Sequence, residues 1–169
     1  IIRKSRNSIA VLTGDETKED LIKLSDDVFQ YFGLGCRSVS KLYVPKGYDF
    51  DSFFTGMYAK KEMINNAKYA NNYDYNKAVY LMSLFDLLEN GFLMIKEDKS
   101  YSSPIATVFY EYYDNEIDLK ISLHQDKEKI QCIVANGFIE NEVGFGQTQH
   151  PKLTDYADGI NTLEFLATI

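Results

Sequence analysis

Cys36 is one of only two cysteines in the 169-residue chain, and its neighbours set it apart. It follows Gly33-Leu34-Gly35 and precedes Arg37. Glycines let the backbone bend sharply and let another molecule approach closely, and amides in such a turn can form a concave set of donors. A neighbouring guanidinium favours the nucleophilic thiolate. The pattern indicates a nucleophilic thiol beside amides that stabilise an oxyanion. The alternative is a helix-capping turn that contains an incidental cysteine.

The second cysteine, Cys132, lies in the apolar stretch KIQCIVAN. Its neighbours Ile130, Ile133 and Val134 predict a small hydrophobe in a buried strand. Two cysteines at positions 36 and 132 cannot form a disulfide framework and lack zinc-site spacing. Their sparing use favours a reducing, cytoplasmic setting.

The elements around Cys36 predict a βαβ unit. Residues Ser8–Leu12 form a continuous apolar run, which is typical of a short buried strand. A helix begins after Thr17, with acids in its first turn, and ends near Gly33, where a left-handed residue is expected. Ser38–Pro45 predicts the next strand. We therefore expect parallel pairing of the two strands and Cys36 in the turn between helix and strand.

The rest of the chain continues the alternation of helices and strands. The sequence predicts a largely parallel sheet covered by helices, that is, an α/β fold in one domain over residues 1–169. The stretch NNAKYANNYDYN predicts a polar connector between the second and third predicted helices. Asn90-Gly91 predicts the end of the third helix. The predicted helices cover Phe50–Ala67, Tyr75–Asn90 and Ile117–Leu123, the last capped by Asp114 or Asn115, and the predicted strands cover Phe92–Ile95, Ile105–Tyr113, Ile130–Ala135 and Thr162–Leu166.

Composition excludes several classes of protein. Apolar residues make up 45% and charged residues 25%, which is typical of a globular protein. The net charge of −7 repels phosphate backbones, so we expect no nucleic-acid partner, and we expect the short basic cluster Arg3-Lys4-Ser5-Arg6 to be a solvated segment. No apolar run reaches the roughly 18–20 residues of a membrane helix, so no membrane span is expected.

Three segments together resemble a known family. The stretch NSIAVL, a helix and then FGLGCRSVSKLYVP resemble the catalytic domain of the aldehyde dehydrogenase superfamily. The combination with SPIATVFYEYYD (Ser103–Asp114) and GFGQTQHPKLTDYADGINTLEFL (Gly144–Leu166) is most similar to acyl-CoA reductases related to the fatty acid reductase of bacterial luminescence systems. The resemblance spans nearly the whole chain.

The resemblance implies a specific reaction. Cys36 would attack the carbonyl of a fatty acyl-CoA or acyl-protein thioester, and the Cys36 backbone N–H would donate to the oxyanion. NADPH would then reduce the acyl-cysteine to a fatty aldehyde. A thiolate is a strong nucleophile near neutral pH, and the redox step belongs to the cofactor.

Parts of the family pattern are missing. No Gly-x-Gly-x-x-Gly fingerprint follows a strand, and no preceding stretch supplies the family's side-chain oxyanion donor or its glutamate base. We therefore expect the chain to be the catalytic portion of a longer enzyme, with the NADPH-binding domain elsewhere and little activity alone. Glu97 and Asp98 lie near the place of the family's cofactor-binding glutamate without matching it, so no cofactor residue is assigned.

Other residues suggest weaker hypotheses. His150 in a polar loop and His124 at a helix end are interpreted as structural residues. Asp155, Asp158 and Gly159 are interpreted as a turn and not as a calcium loop, because calcium needs more oxygen ligands at regular spacing. Two functions compete with reduction of a thioester: an aldehyde dehydrogenase that runs oxidatively, and a non-catalytic interaction module that retains the fold. The strand-like tail Thr162–Ile169 is a candidate pairing edge, so a homodimer is expected.

Overall fold

The computed structural model describes residues 5–156 and 160–168. A six-stranded sheet forms its centre. In chain order the elements are β1 (Asn7–Val11), α1 (Lys18–Phe29), β2 (Val39–Pro45), α2 (Phe50–Met57), α3 (Ala67–Met82), β3 (Leu87–Glu89), β4 (Met94–Glu97), β5 (Thr107–Tyr113), α4 (Glu116–Gln125), β6 (Ile130–Val134) and α5 (Thr162–Ala167). Two 3-10 segments, Gln30–Gly33 and Tyr58–Asn65, follow α1 and α2.

The sheet confirms the predicted α/β fold. Its strand order is β3-β4-β5-β2-β1-β6, and every neighbouring pair is parallel except the antiparallel pair of β3 and β4. The predicted βαβ unit is β1, α1 and β2, with Ala10 in register with Leu42. Because β1, β2, β4, β5 and β6 run in the same direction, the turns that lead into them meet at one edge of the sheet. We call this edge the amino edge.

Helices cover both faces of the sheet. Successive side chains of a strand point to opposite faces. Ala10 and Leu12 accordingly pack with α1, α2 and α3, whereas Ile9 and Val11 pack against Leu119 and Leu123 of α4. Thr17 begins α1 with a capping box, in which Thr17 and Asp20 each accept from the other's backbone N–H. The predicted start of α1 is therefore confirmed.

Helices α1 and α2 pack very closely. A Cβ atom added to Gly56 of α2 would lie 2.4 Å from Cβ of Leu21 in α1 and 2.7 Å from its carbonyl carbon. These distances leave no room for a side chain at position 56, so the position of α1 on the sheet depends on this glycine.

The prediction of a polar connector at positions 65–76 was wrong, because most of this segment belongs to α3. The Asn66 side chain accepts from the backbone N–H groups of Lys68 and Tyr69 and caps the helix. Tyr69 and Tyr73, four residues apart, are both buried, and the Tyr69 hydroxyl donates to the Phe92 carbonyl at 2.9 Å. Burial of these rings outweighs the weak helix propensity of the asparagines.

The predicted bounds of the second and third helices were also wrong. The helix that starts at Phe50 ends at Met57 and continues as a 3-10 segment. Asn90-Gly91 does not end a helix, because it lies in the turn between β3 and β4. The Asn90 side chain accepts there from the N–H groups of Phe92 and Leu93, and Gly91 has φ of +90°. Asparagine and glycine serve helix ends and hairpin turns equally well.

The prediction of a strand in the tail was wrong as well. Residues Thr162–Ala167 form α5, whose cap is Asn161, so this segment is no pairing edge, and the predicted homodimer loses its structural basis. Within the part of the chain that the structure describes, no helix is both long and apolar enough to cross a bilayer. Arg3, Lys4, Asp158, Gly159 and Ile169, to which earlier expectations refer, lie outside the described residues.

Candidate active site around Cys36

Cys36 is solvent-exposed in the turn that joins α1 to β2, at the amino edge of the sheet. The turn is closed by the Ser38 N–H, which donates to the Gly35 carbonyl at 2.9 Å. Ser8, near the start of β1, donates through its hydroxyl to the Cys36 carbonyl at 2.9 Å. The backbone of Cys36 is thus fixed to the central strands while its thiol remains accessible.

The chain leaves α1 through three consecutive left-handed residues. Tyr31, Phe32 and Gly33 have φ of 55°, 61° and 73°. The left-handed conformation expected for Gly33 is confirmed, although α1 itself ends at Phe29. A non-glycine residue in this region costs about 1–3 kcal/mol. The surrounding fold therefore holds Tyr31 and Phe32 in a strained path that brings the chain to Cys36.

Gly35 permits a close approach rather than a left-handed turn. A Cβ at this position would lie 3.3 Å from the Ser38 hydroxyl oxygen and 3.7 Å from Nε2 of Gln149. The Cys36 backbone N–H donates to no acceptor within residues 5–156 and 160–168. This donor is therefore available to an oxyanion that forms on a carbonyl attacked by the Cys36 thiol.

Arg37 connects the Cys36 turn to the glycine-rich segment 144–149. Its Nε donates to the Thr148 carbonyl. Its positive charge also favours the thiolate of the buried Cys132. The guanidinium therefore has a structural partner, and its field reaches the second cysteine.

Asp27 is a site residue that the sequence reasoning missed. It belongs to the buried face of α1 and is 1% exposed. Its carboxylate accepts from the Gly146 N–H at 2.6 Å, from the Thr148 N–H at 3.0 Å and from the Thr148 hydroxyl at 2.9 Å. Burial raises the pKa of Asp27, and these three hydrogen bonds oppose the rise. An acid between Leu24 and Val28 on an apolar helix face was the signal that could have identified it.

Asp27 and Arg37 together fix segment 144–149 against the Cys36 turn. Thr148 is the shared contact, since it donates to Asp27 and accepts from Arg37. Two segments that are more than 100 residues apart in sequence thus meet beside the thiol.

The segment that contains Ser103-Pro104 reaches the same place. Ser103, Pro104 and Thr107 line a small cavity of about 20 Å³ together with Phe32 and Gly33 of the Cys36 turn. The Ser103 hydroxyl donates to the Thr107 carbonyl at 2.7 Å, which fixes the entry into β5. Segments 103–107 and 144–149 thus both contact the connection between α1 and β2 that carries Cys36.

Cys132 lies in β6 and is 6% exposed, as predicted for a core residue. Burial raises the pKa of the Cys132 thiol, while the charge of Arg37 and a hydrogen bond with Ser8 oppose the rise. A buried thiol with a raised pKa is a poor nucleophile at neutral pH. Of the two cysteines, Cys36 is thus the accessible one.

Glu97 and Asp98 do not lie beside Cys36. Glu97 ends β4 and is in register with Tyr110 of β5, which is in register with Leu42. It therefore lies level with the middle of β2, two strands away. Asp98 is partly desolvated, which raises its pKa, but hydrogen bonds from Lys96 and Ser100 and the charge of Lys96 lower the pKa to about 2. Glu97 is thus separated from β2 by β5, and the Asp98 carboxylate is bound by Lys96 and Ser100.

His124 and His150 are the two histidines of the chain. Both side chains are exposed, and both line a cavity between α4, β6 and the segment after β6. No hydrogen bond connects either imidazole to Cys36 within the described residues. Within that part of the chain the structure therefore shows no direct contact between either imidazole and the thiol, and their interpretation as structural residues stays a prediction.

Comparisons by sequence identify no relative: no family model matches the chain, and no curated protein does. Comparisons of structure do find similar proteins. Indole-3-acetaldehyde dehydrogenase from P. syringae, solved in complex with NAD+ and IAA, has a TM-score of 0.54 and 9% identity over 83% of this chain and 35% of its own. An NAD-dependent aldehyde dehydrogenase from Sinorhizobium meliloti has a TM-score of 0.53 and 11% identity over 87% of this chain and 35% of its own.

A third similar structure is lactaldehyde dehydrogenase from Escherichia coli, with a TM-score of 0.51 and 13% identity over 82% of this chain and 36% of its own. The chain thus spans about a third of the length of the structures that it resembles. At these identities the likeness is one of fold. The chain has an α/β fold like that of part of an aldehyde dehydrogenase.

Proposed function

We propose that this chain is the cysteine-bearing portion of an acyl-CoA reductase, which reduces a fatty acyl thioester to a fatty aldehyde through an acyl-cysteine at Cys36. The proposal rests mainly on one observation. An exposed cysteine, whose backbone N–H has no acceptor among the described residues, lies in a connection that two distant segments contact, within an aldehyde dehydrogenase-like fold.

The first half of the reaction uses the residues described above. The Cys36 sulfur attacks the thioester carbonyl, and the negative charge that develops on oxygen faces the Cys36 N–H. Collapse of this adduct breaks the original carbon–sulfur bond, forms the acyl-Cys36 thioester and releases the donor thiol. Asp27, Arg37 and Thr148 hold the surroundings of the thiol and so reduce the cost of orienting the two reactants.

The second half requires a reductant. NADPH, held by residues outside those assigned here, would supply one hydride. With a proton from solvent, reduction converts the acyl-Cys36 thioester into a hemithioacetal. Its collapse breaks the carbon–sulfur bond, releases the aldehyde and restores the thiol. The overall change consumes one thioester, one hydride and one proton, and it yields one aldehyde and one free thiol.

Apolar side chains around the turn favour a long acyl chain. The side chains of Tyr31, Phe32 and Leu34 are 64%, 41% and 67% exposed. Tyr31 and Phe32 are exposed even though the fold holds their backbones in the strained left-handed conformation. Covering apolar surface contributes about 25 cal/mol per Å². An acyl chain that lies on these three side chains would therefore gain affinity beside the nucleophile.

Acylation of Cys36 tests the proposal directly. The complete protein is incubated with a long-chain acyl-CoA without NADPH, and its peptides are mapped by mass spectrometry. We expect an acyl adduct on Cys36 and none on Cys132, since burial raises the pKa of Cys132. Addition of NADPH should remove the adduct and release an aldehyde.

Other results would assign a different function. An adduct that persists with NADPH but disappears with NADP+ and water would indicate an oxidative aldehyde dehydrogenase. Folded protein without an adduct on Cys36 would contradict the proposal and would favour a non-catalytic module. The Cys36→Ala variant serves as the negative control and Cys132→Ala as the matched positive control.

A further inference from the structure

A cavity of about 740 Å³ lies beside the Cys36 turn, between α4, β6 and the segment at positions 139–156. Its volume is within the range of about 300–1,000 Å³ that is usual for small-molecule sites. Arg37, the residue after the proposed nucleophile, lines it. Cys132 also lines it, and Ser8, whose hydroxyl donates to the Cys36 carbonyl, lies beside Cys132. The cavity is therefore adjacent to the proposed active site.

Lysines and arginines outnumber carboxylates around this cavity by four to three, although the chain as a whole has a net charge of −7. Arg6, Arg37, Lys127 and Lys152 line it together with His124 and His150. Lys127 and Lys152 are exposed, and neither forms an ion pair within the described part of the chain. Exposed and unpaired lysines at the rim of a cavity attract an anionic ligand.

Three carboxylates, those of Glu140, Glu142 and Asp155, also line the cavity, and two of them accept hydrogen bonds from backbone donors. Glu142 accepts from the N–H groups of Phe138 and Ile139 at 2.8 and 2.9 Å and also from that of Gly137. Asp155 accepts from the backbone N–H of Lys152 at 2.9 Å. The backbone donors stabilise these charges in place, so the lysine side chains remain available to a ligand.

Two buried polar atoms in the lining lack partners among the described residues: Nε of Arg6 and Oε1 of Gln131. The same Arg6 donates through Nη2 to the Lys127 carbonyl at 2.7 Å, which fixes its orientation. Buried polar groups are rarely left without a hydrogen bond. Once turned towards the cavity, Arg6 Nε could donate to an acceptor such as a phosphate oxygen, and Gln131 Oε1 could accept from a donor such as an amide N–H.

We propose that this cavity binds the phosphopantetheine arm of the thiol that leaves during acylation. Such an arm carries phosphate oxygens for Arg6, Lys127 and Lys152 and amide N–H groups for Gln131. Its sulfur end would point to the Cys36 turn past Arg37. This inference rests on the proposed function, and it adds the region of the protein that selects the acyl donor.

The test compares acylation rates of Cys36 with three donors that share one acyl chain. The donors are acyl-CoA, acyl-4′-phosphopantetheine and acyl-pantetheine, which lacks phosphate. We expect both phosphorylated donors to react faster, and the Lys127→Ala/Lys152→Ala double variant to lose about five- to tenfold in kcat/KM with them. The rate with acyl-pantetheine should not change. Lys18 is an exposed lysine at the start of α1 and does not line the cavity, so Lys18→Ala should behave as wild type.

The possible outcomes separate the two proposals. If all three donors acylate Cys36 equally and the double variant has no effect, the cavity is not the donor site, although the proposed function stands. If none of the donors acylates Cys36, the proposed function itself fails. A faster rate with acyl-CoA than with acyl-4′-phosphopantetheine would support the site and identify CoA as the source, whereas equal rates would support the site and show that the arm of a carrier protein suffices. Thermal unfolding of each variant checks that the surface substitutions leave the fold intact.

Discussion

At the scale of single residues, the environment of Cys36 depends on partners that are distant in sequence. Asp27 and Arg37 reach Thr148 from the two ends of the turn, and Ser8 holds the Cys36 carbonyl. The sequence indicated Cys36, Gly33, Gly35 and Arg37 as candidates because they are adjacent. It could not identify the role of Asp27, because hydrogen bonds across more than 100 residues are decided by the fold.

Asp27→Asn tests this arrangement. An amide nitrogen at this position would face the Gly146 N–H, so one charge-assisted hydrogen bond is replaced by two opposed donors. We expect the free energy of unfolding to fall by about 1.5–3 kcal/mol, as measured by denaturant titration. Acylation of Cys36 should slow in the same variant because Thr148 loses its anchor.

Asp26→Asn is the matched control for this substitution. Asp26 is the neighbouring residue, and its half-exposed carboxylate pairs with Lys60 at the surface. Removing a surface ion pair should change stability by less than about 1 kcal/mol. Equal losses for the two variants would contradict a special role for Asp27.

At the scale of elements, local patterns predicted each parallel strand and the helices α1 and α4, but they misjudged the bounds of α2 and α3 and the type of α5. The runs at Ser8–Leu12 and Ser38–Pro45 agree with β1 and β2 within one or two residues. The first half of α3 and all of α5 were missed because their asparagines and β-favouring residues give no helical signal, and packing decides their state. Lys41 shows a further limit: it is fully buried in β2, where its Nζ donates to the Lys99 carbonyl and to Glu111.

The contact between α1 and α2 can be tested by Gly56→Ala. The new methyl would meet the Leu21 backbone at 2.7–2.8 Å, so α1 must shift. Overpacking costs about 1–3 kcal/mol and outweighs the gain in helix propensity of about 1 kcal/mol. We expect lower thermal stability and slower Cys36 acylation, since α1 leads into the Cys36 turn.

Thr55→Ala provides the control on the same helix. Thr55 is exposed on α2, and a substitution there should change stability by about 0.5 kcal/mol or less. A stable Gly56→Ala variant with unchanged acylation would show that α1 can move without disturbing the turn.

At the scale of the whole molecule, the chain is a layered α/β unit that spans about a third of the dehydrogenases it resembles. Open parallel sheets usually bind ligands at the carboxyl ends of their strands. Here the candidate site lies at the opposite, amino edge. Composition and βαβ spacing predicted the layers of helices and sheet. The candidate site lies at the amino edge because Cys36 lies in the turn directly before β2.

The acid stability of the whole fold should depend on Asp98. Its pKa in the folded protein is about 2, below the ordinary value of 3.8, because interactions with Lys96 and Ser100 outweigh its desolvation. A lowered folded-state pKa contributes stability above the unfolded value and loses it as pH falls through the folded value. We therefore expect Asp98→Asn to be less stable than wild type at pH 7.

The stability difference between these two proteins should shrink as the pH falls from about 4 towards 2, where Asp98 becomes protonated in both states. Urea titrations at pH 7, 4 and 2.5 measure this change. A difference that is constant across this range would mean that Asp98 stabilises the fold by packing and not by its charge.

Because the candidate site lies at the amino edge, the carboxyl edge of the sheet is free of it. The turns after β1, β2 and β5 leave the sheet at its carboxyl edge, remote from Cys36. Gly47, in the turn after β2, is exposed, and no atom lies within 4 Å of where its side chain would be. Exposed turns of this kind accept inserted sequence most readily. The amino edge must keep its geometry for the candidate site, whereas turns at the carboxyl edge can accept an insertion, a label or a fused protein.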